Sequence, residues 1–346
     1  MYLLELGGED DAFARAEAAS AATGVETLAP GLALASAISR ERVRGLAYTQ
    51  RASEVVGRTD AHVESARVLL ESAPLDREGS VAVRARDVKG TSGVDSAAAE
   101  RALGRVLVDR GFDVDLDEPD HVLRAAFSAR KAGDDPNRAS EDVSVCALGW
   151  LAAESVRDFG DRRPTDKPFF QPGSMDPLLA RATANLAGAR PGRTILDPMC
   201  GTGGGLVEAG LVGADVIGTD AQAKMVRGAR ENLAHFLDGE EPSSIGVDRG
   251  DWHVARGDGT QLPLADDAVD AVVFDAPYGR QSKIETHGLA DLVAGALAEA
   301  RRVADRAVLV ADRPWADAAR DAGWAIEASF ERRVHRSLTR HVLVLA

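Results

Sequence analysis

Three aspartates end three successive predicted strands in the second half of the chain, and a glycine-rich turn follows the first of them. Asp197 precedes a turn that contains Gly201 and Gly203, and glycine lets a backbone turn tightly and approach a ligand closely. Asp220 ends the next strand, where a carboxylate can accept hydrogen bonds from both hydroxyls of a ribose. Asp258 ends the third, where its carboxylate can meet the edge of an adenine. Because ligands of open α/β sheets bind at the carboxyl ends of strands, these residues predict a cofactor site.

The acid that precedes the glycines favours a cationic cofactor over a dinucleotide. The dinucleotide fingerprint G-x-G-x-x-G requires a third glycine where this chain has Leu206, and the turn has no P-loop lysine. A carboxylate beside the turn would repel a pyrophosphate, but it suits the sulfonium and ammonium groups of S-adenosylmethionine. The simpler alternative is a tight strand–helix turn that binds nothing, and the succession of three strand-ending acids argues against it.

The tetrad Asp275-Ala276-Pro277-Tyr278 ends another predicted strand and suits the chemistry of an aromatic amine. The lone pair of an exocyclic amine on a base is delocalised into the ring, so the nitrogen is a poor nucleophile. Asp275 and the carbonyl of Ala276 or Pro277 can each accept an N–H hydrogen bond, which would aim the lone pair at a methyl group. Pro277 restricts the backbone, and Tyr278 offers a face on which a base can stack. The alternative is an ordinary β-turn, which this sequence also favours.

The elements that carry these residues alternate regularly in the second half of the chain. A helix is predicted over MDPLLARATANLAG, and strands are predicted over RTILDP, ADVIGTD, WHVARGD, AVDAVVFD and RAVLVAD. Helical stretches separate most of these strands, which predicts an α/β fold with a parallel sheet. The preceding residues, 154–174, contain three prolines among several charges, and we expect them to form a linker.

The first half of the chain mixes strands and helices less regularly, which predicts one or two small α+β domains. Period-two and helical patterns predict strands over residues 1–7, 43–49, 80–88, 121–127 and 143–151, and helices over 60–73 and 95–111. The second of these helices has Asp95 as its start signal and Gly111 as its stop signal.

The composition is that of a globular protein with two or three domains, since 45% of the 346 residues are apolar and 28% are charged. The net charge of −14 argues at first against a nucleic-acid partner. However, only five of the 41 basic residues are lysine, as in proteins of salt-rich cytoplasm, where an acidic excess serves solubility. The alternative is an ordinary acidic enzyme.

The sequence shows no signal of a membrane or secretory protein. It has no apolar run of the ~20 residues that a membrane span needs and no basic leader, so we expect a soluble, cytoplasmic protein. Cys146 and Cys200 are too few for a disulfide framework or a four-cysteine zinc site, and no metal is expected.

Local groups of basic residues suit the phosphates of a nucleic acid better than the net charge does. The first group is Arg84, Arg86 and Lys89, along one predicted strand and its turn. Further groups lie downstream and near the C-terminus: Arg101, Arg105, Arg110, Arg124, Arg130 and Lys131, then Arg332, Arg333, Arg336 and Arg340. Phosphate contacts fix the register of a complex without reading its sequence. The alternative is that these side chains are solvated and paired with neighbouring acids.

The ordered motifs DPMCGTGG, GTDA, GDGTQLPL and DAPYGR resemble those of Rossmann-like amino-methyltransferases with a D/N-P-P-Y signature. FFQPGSMDPLLARATANLA resembles the segment that packs over the methionine end of the cofactor in tRNA and rRNA members, and residues 81–127 resemble a THUMP domain. The whole chain resembles the archaeal tRNA guanine-10 N2-methyltransferase family. The resemblance implies a ferredoxin-like domain over 1–50, a THUMP RNA-binding domain over 51–153, a linker over 154–174 and a Rossmann-like methyltransferase domain over 175–346.

The same resemblance implies a role for each residue that matches a motif. Cofactor binding is assigned to Asp197, Gly201, Gly203, Asp220, Asp258 and Gly259, and catalysis to Asp275, Pro277 and Tyr278. The THUMP region, with Arg84, Arg86 and Lys89, is implied to bind tRNA. One departure is Ala276, which stands where the family usually has proline; it keeps the carbonyl but not the rigidity of the ring.

The implied activity is transfer of one and then a second methyl group from S-adenosylmethionine to the N2 amine of guanine 10 in tRNA. A second hypothesis keeps the chemistry but changes the target to another guanine of tRNA or rRNA, or to an adenine amine of DNA. A third hypothesis is a non-catalytic RNA-binding protein that retains the fold. Because related eukaryotic enzymes are thought to need a small activating partner, such a partner is a further expectation from the resemblance.

Overall fold

Two units make up the chain, Met1–Ser155 and Val156–Ala346. The computed structural model describes residues 1–132, 142–239, 241–277, 288–335 and 338–346. Within these ranges, no helix has the length and apolar character that a membrane crossing requires.

The first unit is built on an eight-stranded mixed sheet. Its elements are β1 (Tyr2–Leu6), α1 (Asp11–Ala18), β2 (Ala22–Thr23), β3 (Glu26–Ala29), β4 (Leu32–Ala35), β5 (Ala37–Ile38), α2 (Arg40–Arg44), β6 (Thr49–Thr59), α3 (Val63–Ser72), β7 (Ser80–Asp87), α4 (Ser96–Asp109), β8 (Asp113–Val114), β9 (His121–Arg130) and β10 (Val143–Glu154). The strand order is β3-β4-β1-β6-β10-β9-β7-β8, and β2 pairs separately with β5. Six predicted elements, β1, α3, β7, α4, β9 and β10, are confirmed.

The long strand β6 joins the N-terminal segment to the rest of the first unit. It pairs antiparallel with β1 on one side, where Leu3 faces Ser53, and with β10 on the other, where Cys146 faces Thr59. One continuous sheet therefore runs through residue 50. Helices α3 and α4 cover part of it, and Leu70, Leu103, Val106 and Leu107 are buried in one cluster with residues of β7, β9 and β10.

The strand predicted over residues 43–49 is wrong. Ser39 caps the short helix α2 by accepting a hydrogen bond from the Arg42 amide, and the chain after it is irregular up to β6. The buried carboxylate of Glu17 accepts hydrogen bonds from the amides of Ala47 and Tyr48, each at 2.6 Å. A side chain from a distant helix thus takes the backbone donors that a strand neighbour would have used.

The second unit is an α/β domain with a mostly parallel seven-stranded sheet. Its elements are α5 (Pro177–Ala187), β11 (Thr194–Asp197), α6 (Gly204–Leu211), β12 (Asp215–Asp220), α7 (Ala223–Leu237), β13 (Trp252–Arg256), β14 (Ala271–Asp275), α8 (Leu289–Val303), β15 (Ala307–Ala311), α9 (Ala316–Asp321), β16 (Ile326–His335) and β17 (Leu338–Leu345). The strand order is β13-β12-β11-β14-β15-β17-β16, with β17 antiparallel to both its neighbours. The five predicted strands β11 to β15 and the predicted helix α5 are confirmed.

The part of the expected linker that belongs to this unit, residues 156–174, is docked on it. It contains two short 3₁₀ turns, Phe159–Arg162 and Pro164–Asp166. We call residues 156–174 the strap, because buried contacts tie them to α5, α6 and α7 along their length.

A buried ion cluster ties the first half of the strap to the helices. Glu208 on α6 lies 2.7 Å from Arg162 Nε of the strap and 2.7 Å from Arg181 Nη2 of α5, and all three side chains are at least 95% buried. Both guanidinium groups also lie over the ring of Phe159, at 5.5 Å from its centroid. Glu208 thus pairs with two buried arginines, and Asp158 of the strap adds a second carboxylate, 2.8 Å from Arg162 Nη2.

Replacing Glu208 by Gln should destabilise the protein strongly, since it removes the carboxylate that Arg162 and Arg181 share and leaves Asp158 as the acidic partner of Arg162. Breaking a buried ion pair from one side costs about 3–5 kcal/mol. The check is the midpoint of thermal unfolding by calorimetry, with Glu231→Gln on the exposed side of α7 as the matched control. Equal midpoints for the two variants would contradict the prediction.

Candidate active site

The strand order of the second unit reverses between β11 and β14, and two of the predicted acids lie there. Asp197 ends β11 and Asp275 ends β14, while Asp220 ends β12 on the other side of β11. In open α/β sheets, the crevice outside the carboxyl ends of the strands at such a switch point is where ligands bind. The structure therefore brings these three predicted site residues to one edge of the sheet.

The Asp197 carboxylate is buried in the middle of this group. Burial raises its pKa well above the usual range, and the neighbouring charges of Asp275 and Asp220 raise it further. The hydrogen bond that it accepts from the Met199 amide, at 3.0 Å, acts in the opposite direction and is outweighed. A buried carboxylate among like charges is a site at which a cation gains interaction energy.

The predicted glycine-rich turn has the backbone that its composition requires. Gly201 and Gly203 have φ angles of +52° and +74°, which favour glycine, and α6 starts directly after the second of them. The Gly201 amide donates to the Asp220 carboxylate at 3.0 Å, so the turn after β11 is held by the end of β12.

The loop after β13 packs against the same turn. Asp258 accepts hydrogen bonds from the amide and the hydroxyl of Thr260, at 2.9 and 2.8 Å, and this fixes the orientation of its carboxylate. A Cβ atom on Gly259 would lie 3.1 Å from the Pro198 carbonyl, which shows how closely the two loops approach.

The predicted catalytic tetrad leaves the sheet at the end of β14. The Asp275 side chain is 24% exposed and lies 3.5 Å from Arg340 Nη2. Ala276 is buried and its amide donates to the Val310 carbonyl at 2.8 Å, so the chain stays paired with β15 one residue beyond the strand. Pro277 is half-buried, and Tyr278 lies outside the described residues.

The second half of the strap lies on the glycine-rich turn. Asn232 of α7 is fully buried; it accepts a hydrogen bond from the Phe169 amide and donates from its side-chain nitrogen to the carbonyls of Phe169 and Thr202. Further along, the Ser174 hydroxyl lies 3.3 Å from the Thr202 hydroxyl. The side chain of Asn232 therefore joins the strap to the glycine-rich turn through hydrogen bonds.

Lys167 of the strap lies over the start of α6. A Cβ atom on Gly204 would lie 2.8 Å from Lys167 Nζ, so the ammonium group covers the first turn of that helix. Burial lowers the pKa of Lys167, and the charge of Arg162 lowers it further, while Glu208 and Asp176 act to raise it. The sequence analysis did not single out Lys167. Its rarity was a usable signal, because it is one of only five lysines in the chain and lies in the expected linker.

The predicted RNA-contacting residues lie in the first unit, and each has a partner within the protein. Arg84 donates to the Leu116 carbonyl at 2.7 Å, Arg86 donates to Gln50 at 2.5 Å, and Lys89 pairs with Asp11 at 2.6 Å. The Arg86 side chain is 40% exposed and also lies 3.9 Å from Glu5. Their role toward RNA stays a prediction.

Two arginines of the other basic groups are not surface residues. Arg124 is buried and binds both oxygens of Glu5, at 2.8 and 2.9 Å. Arg340 is 3% exposed and faces Asp275, so its expected place on a phosphate-binding surface is wrong. In each case a carboxylate distant in sequence compensates the charge, and no local pattern reveals it. Arg336 lies outside the described residues.

No cluster of histidine, cysteine, aspartate and glutamate that could hold a metal ion occurs in the part of the chain that the structure describes. Both cysteines are buried and unpaired with each other. Burial raises the pKa of the Cys200 thiol well above its ordinary value, with the charges of Asp197 and Asp220 acting in the same direction, so no thiolate forms in the cofactor turn.

Comparison with known proteins gives consistent results. Residues 164–342 match a family model described as the RMKL-like methyltransferase domain. The tRNA (guanine(10)-N2)-dimethyltransferase of Methanothermobacter thermautotrophicus is 36% identical over 310 residues, covering 87% of this chain and 83% of that protein. The enzyme of the same name from Pyrococcus abyssi is 29% identical and covers 78% of this chain and 74% of its own. The crystal structure of TrmN from Thermus thermophilus aligns over 99% of this chain and 98% of its own, with 24% identity and a TM-score of 0.49.

Replacing Asp197 by Asn should stabilise the ligand-free protein at neutral pH while weakening cofactor binding. Because the folded-state pKa is raised, the native state binds the extra proton, and stability is lost as pH rises from the unfolded value of 3.8 through the folded one. The gain in unfolding temperature should therefore be present at pH 7 and fall away below about pH 4.

The matched control for this prediction is Asp270→Asn at the opposite end of β14. Burial acts to raise the pKa of Asp270, but the Thr194 amide and the Arg193 guanidinium hold it below the usual range. That variant should lower the unfolding temperature at pH 7. If Asp197→Asn also lowers the unfolding temperature, the prediction is contradicted, because the Asp197 side chain would then stabilise the ligand-free protein.

Proposed function

The chain belongs to the tRNA (guanine(10)-N2)-dimethyltransferase family, and from that premise we propose how its residues carry out methyl transfer to the N2 amine of guanine 10 in tRNA. The reaction is that of an S-adenosylmethionine-dependent tRNA methyltransferase. The observation that carries the residue assignment is the meeting of Asp197 and Asp275 at the switch point of the sheet, one suited to a cationic cofactor and the other to an amine.

The residues at the edge of the sheet fit S-adenosylmethionine. Asp197 is buried beside the like charges of Asp275 and Asp220, and a Cβ atom on Gly205 would lie 3.8 Å from its carboxylate. Asp220 ends β12, and Asp258 lies in the loop that follows β13, in the order that a ribose and an adenine require. We propose that these residues, with Gly201, Gly203 and Gly259, hold the cofactor. When bound, S-adenosylmethionine supplies an activated methyl group on a sulfonium.

Asp275 orients the amine in this proposal. Its carboxylate accepts one N–H hydrogen bond, and the backbone carbonyl of Ala276 or Pro277 accepts the other, so that the nitrogen lone pair points at the methyl carbon. The nitrogen–carbon bond forms as the carbon–sulfur bond breaks, and the amine then loses one proton, which Asp275 takes up or passes on. Orientation of this kind supplies a large part of the rate. Tyr278 is proposed to stack on the base once it has left its own stack.

The first unit is proposed to hold the tRNA. Residues 51–153 form the THUMP domain, residues 1–50 the ferredoxin-like segment and residues 154–174 the linker, followed by the methyltransferase domain over 175–346. Arg84, Arg86 and Lys89 contact phosphates in this proposal, which positions the RNA without reading its sequence. We also propose that the protein acts in a salt-rich cytoplasm, in line with its net charge of −14 and scarcity of lysine.

The direct test is a methyl-transfer assay in multimolar KCl with labelled S-adenosylmethionine and unmodified tRNA transcripts. The intact transcript should take up label, and a transcript with guanine 10 replaced should not. Label in both transcripts would show that the protein transfers methyl groups to tRNA at a position other than guanine 10. Label in neither, with cofactor binding confirmed, would point to a missing activating partner or to a non-catalytic RNA-binding protein.

Asp275→Ala should abolish transfer and leave cofactor binding largely intact, because the carboxylate contacts the amine rather than the cofactor. Asp317→Ala, in an exposed position on α9, is the control and should keep wild-type turnover. Turnover and cofactor affinity are measured on the same preparations. Normal turnover of Asp275→Ala would refute the role of the tetrad.

Arg86→Gln should weaken tRNA binding and leave cofactor affinity unchanged, since Arg86 lies in the first unit. Loss of one phosphate contact reduces the slope of log affinity against log salt by about 1. The slope is measured by titrating tRNA at several KCl concentrations, with Arg320→Gln on α9 as the control. An unchanged slope would leave Arg86 as a structural residue paired with Gln50 and Glu5.

A further inference from the structure

We propose that Arg340 is a positioning residue for the methyl transfer: it holds the Asp275 carboxylate ionised and in place, and it couples that carboxylate to the strap. This inference rests on the proposed role of Asp275 as the group that orients the amine. The motif that carries Asp275 does not include Arg340, which lies 65 residues further along the chain.

The register of the sheet explains how Arg340 reaches Asp275. Asp275 faces Val310 of β15, and Val310 in turn faces Val342 of β17. Because β17 runs antiparallel, Arg340 lies two residues beyond this row, past the carboxyl end of β15 and on the same face as Val342. Its side chain extends along the edge of the sheet and brings Nη2 to 3.5 Å from the carboxylate.

The same guanidinium binds the strap. Arg340 Nη2 donates to the Gly173 carbonyl at 3.3 Å, and Gly173 has a φ of +91°, within the turn that ends the strap. The neighbouring Ser174 contacts Thr202 of the cofactor turn. Arg340 therefore joins two segments that flank the site, the tetrad on one side and the strap on the other.

Arg340 also offsets the negative charge of this edge. The side chain is 4% exposed, so its interaction with Asp275 is weakly screened by water. Asp197, by contrast, repels the Asp275 charge from the neighbouring strand. A buried cation on one side and a buried acid on the other act on Asp275 in opposite directions. The guanidinium favours the carboxylate form, which accepts an N–H hydrogen bond from the amine. After methyl transfer, Asp275 takes up the amine proton and releases it to water, because the guanidinium disfavours the protonated form.

Two variants separate the charge of Arg340 from its packing. Arg340→Met removes the charge, and Arg340→Lys keeps it while losing the planar fork. With Arg340→Met, kcat should fall by about 10- to 100-fold with little change in the KM for the cofactor. The acidic limb of its kcat profile should move up by about 1 pH unit, since an arginine beside an aspartate lowers the aspartate pKa by 1–3 units.

Arg340→Lys should keep the wild-type position of the acidic limb and recover part of kcat. Arg320→Gln on α9, an exposed arginine paired with Asp317, is the control and should match the wild type in both measurements. If Arg340 only packs β17 against the strap, Arg340→Met lowers kcat by the same factor at every pH, and the proposal is overturned.

A thermal double-mutant cycle gives a readout that needs no activity. Arg340→Met should lower the unfolding temperature more in the wild-type background than in the Asp275→Asn background, because its partner is already neutral there. Equal decreases would overturn the proposed coupling. If the wild type transfers no methyl group to tRNA, both the proposed function and the role of Arg340 in the reaction fail. The thermal cycle still decides whether Arg340 and Asp275 interact. If the wild type is active and the cycle shows no coupling, only the role of Arg340 fails.

Discussion

The crowding of carboxylates at one edge of the parallel sheet is the constraint around which the second unit is arranged. Three neighbouring strands end in aspartates, and Asp197 in the middle is buried. Repulsion between neighbouring carboxylates opposes folding. Hydrogen bonds from backbone amides to Asp197 and Asp220, and the guanidinium beside Asp275, offset part of this repulsion. A cation bound at this edge would offset the remaining negative charge, as we propose for the sulfonium of the cofactor. Under that proposal, affinity for the cofactor and a cost in stability have the same origin.

The strap shows how buried polar contacts can hold a segment that has neither an α-helix nor a strand. Its first half is held by one carboxylate between two buried arginines, and its second half by one buried amide that bonds to both the strap and the cofactor turn. Buried polar groups are costly unless they are satisfied, so contacts of this kind specify one position rather than a range of positions. The glycine-rich turn therefore lies between the carboxyl edge of the sheet and the strap.

Sequence alone predicted the strands that bear the aspartates, because a hydrophobic run that ends in an acid and a glycine is a local pattern. It also predicted the turn geometry, since only glycine adopts φ angles such as those at Gly201 and Gly203 without strain. It did not predict the partners of Arg340, Arg124 or Glu17. Each of these charges is compensated by a group at least 30 residues away, and its burial depends on strand pairing and packing that no local window contains.

The position of β6 inside a continuous sheet limits how the first unit can be divided. A chain that started at residue 51 would lack β1 and would begin inside β6, leaving residues 51–54 of that strand without their β1 partners and with unpaired backbone donors and acceptors. Such edges pair with other chains and promote aggregation. The same cut would remove Glu5 and leave Arg124 as a buried charge without a counter-ion. Within the first fifty residues, β1 therefore covers an edge of β6 and Glu5 supplies the counter-ion of Arg124.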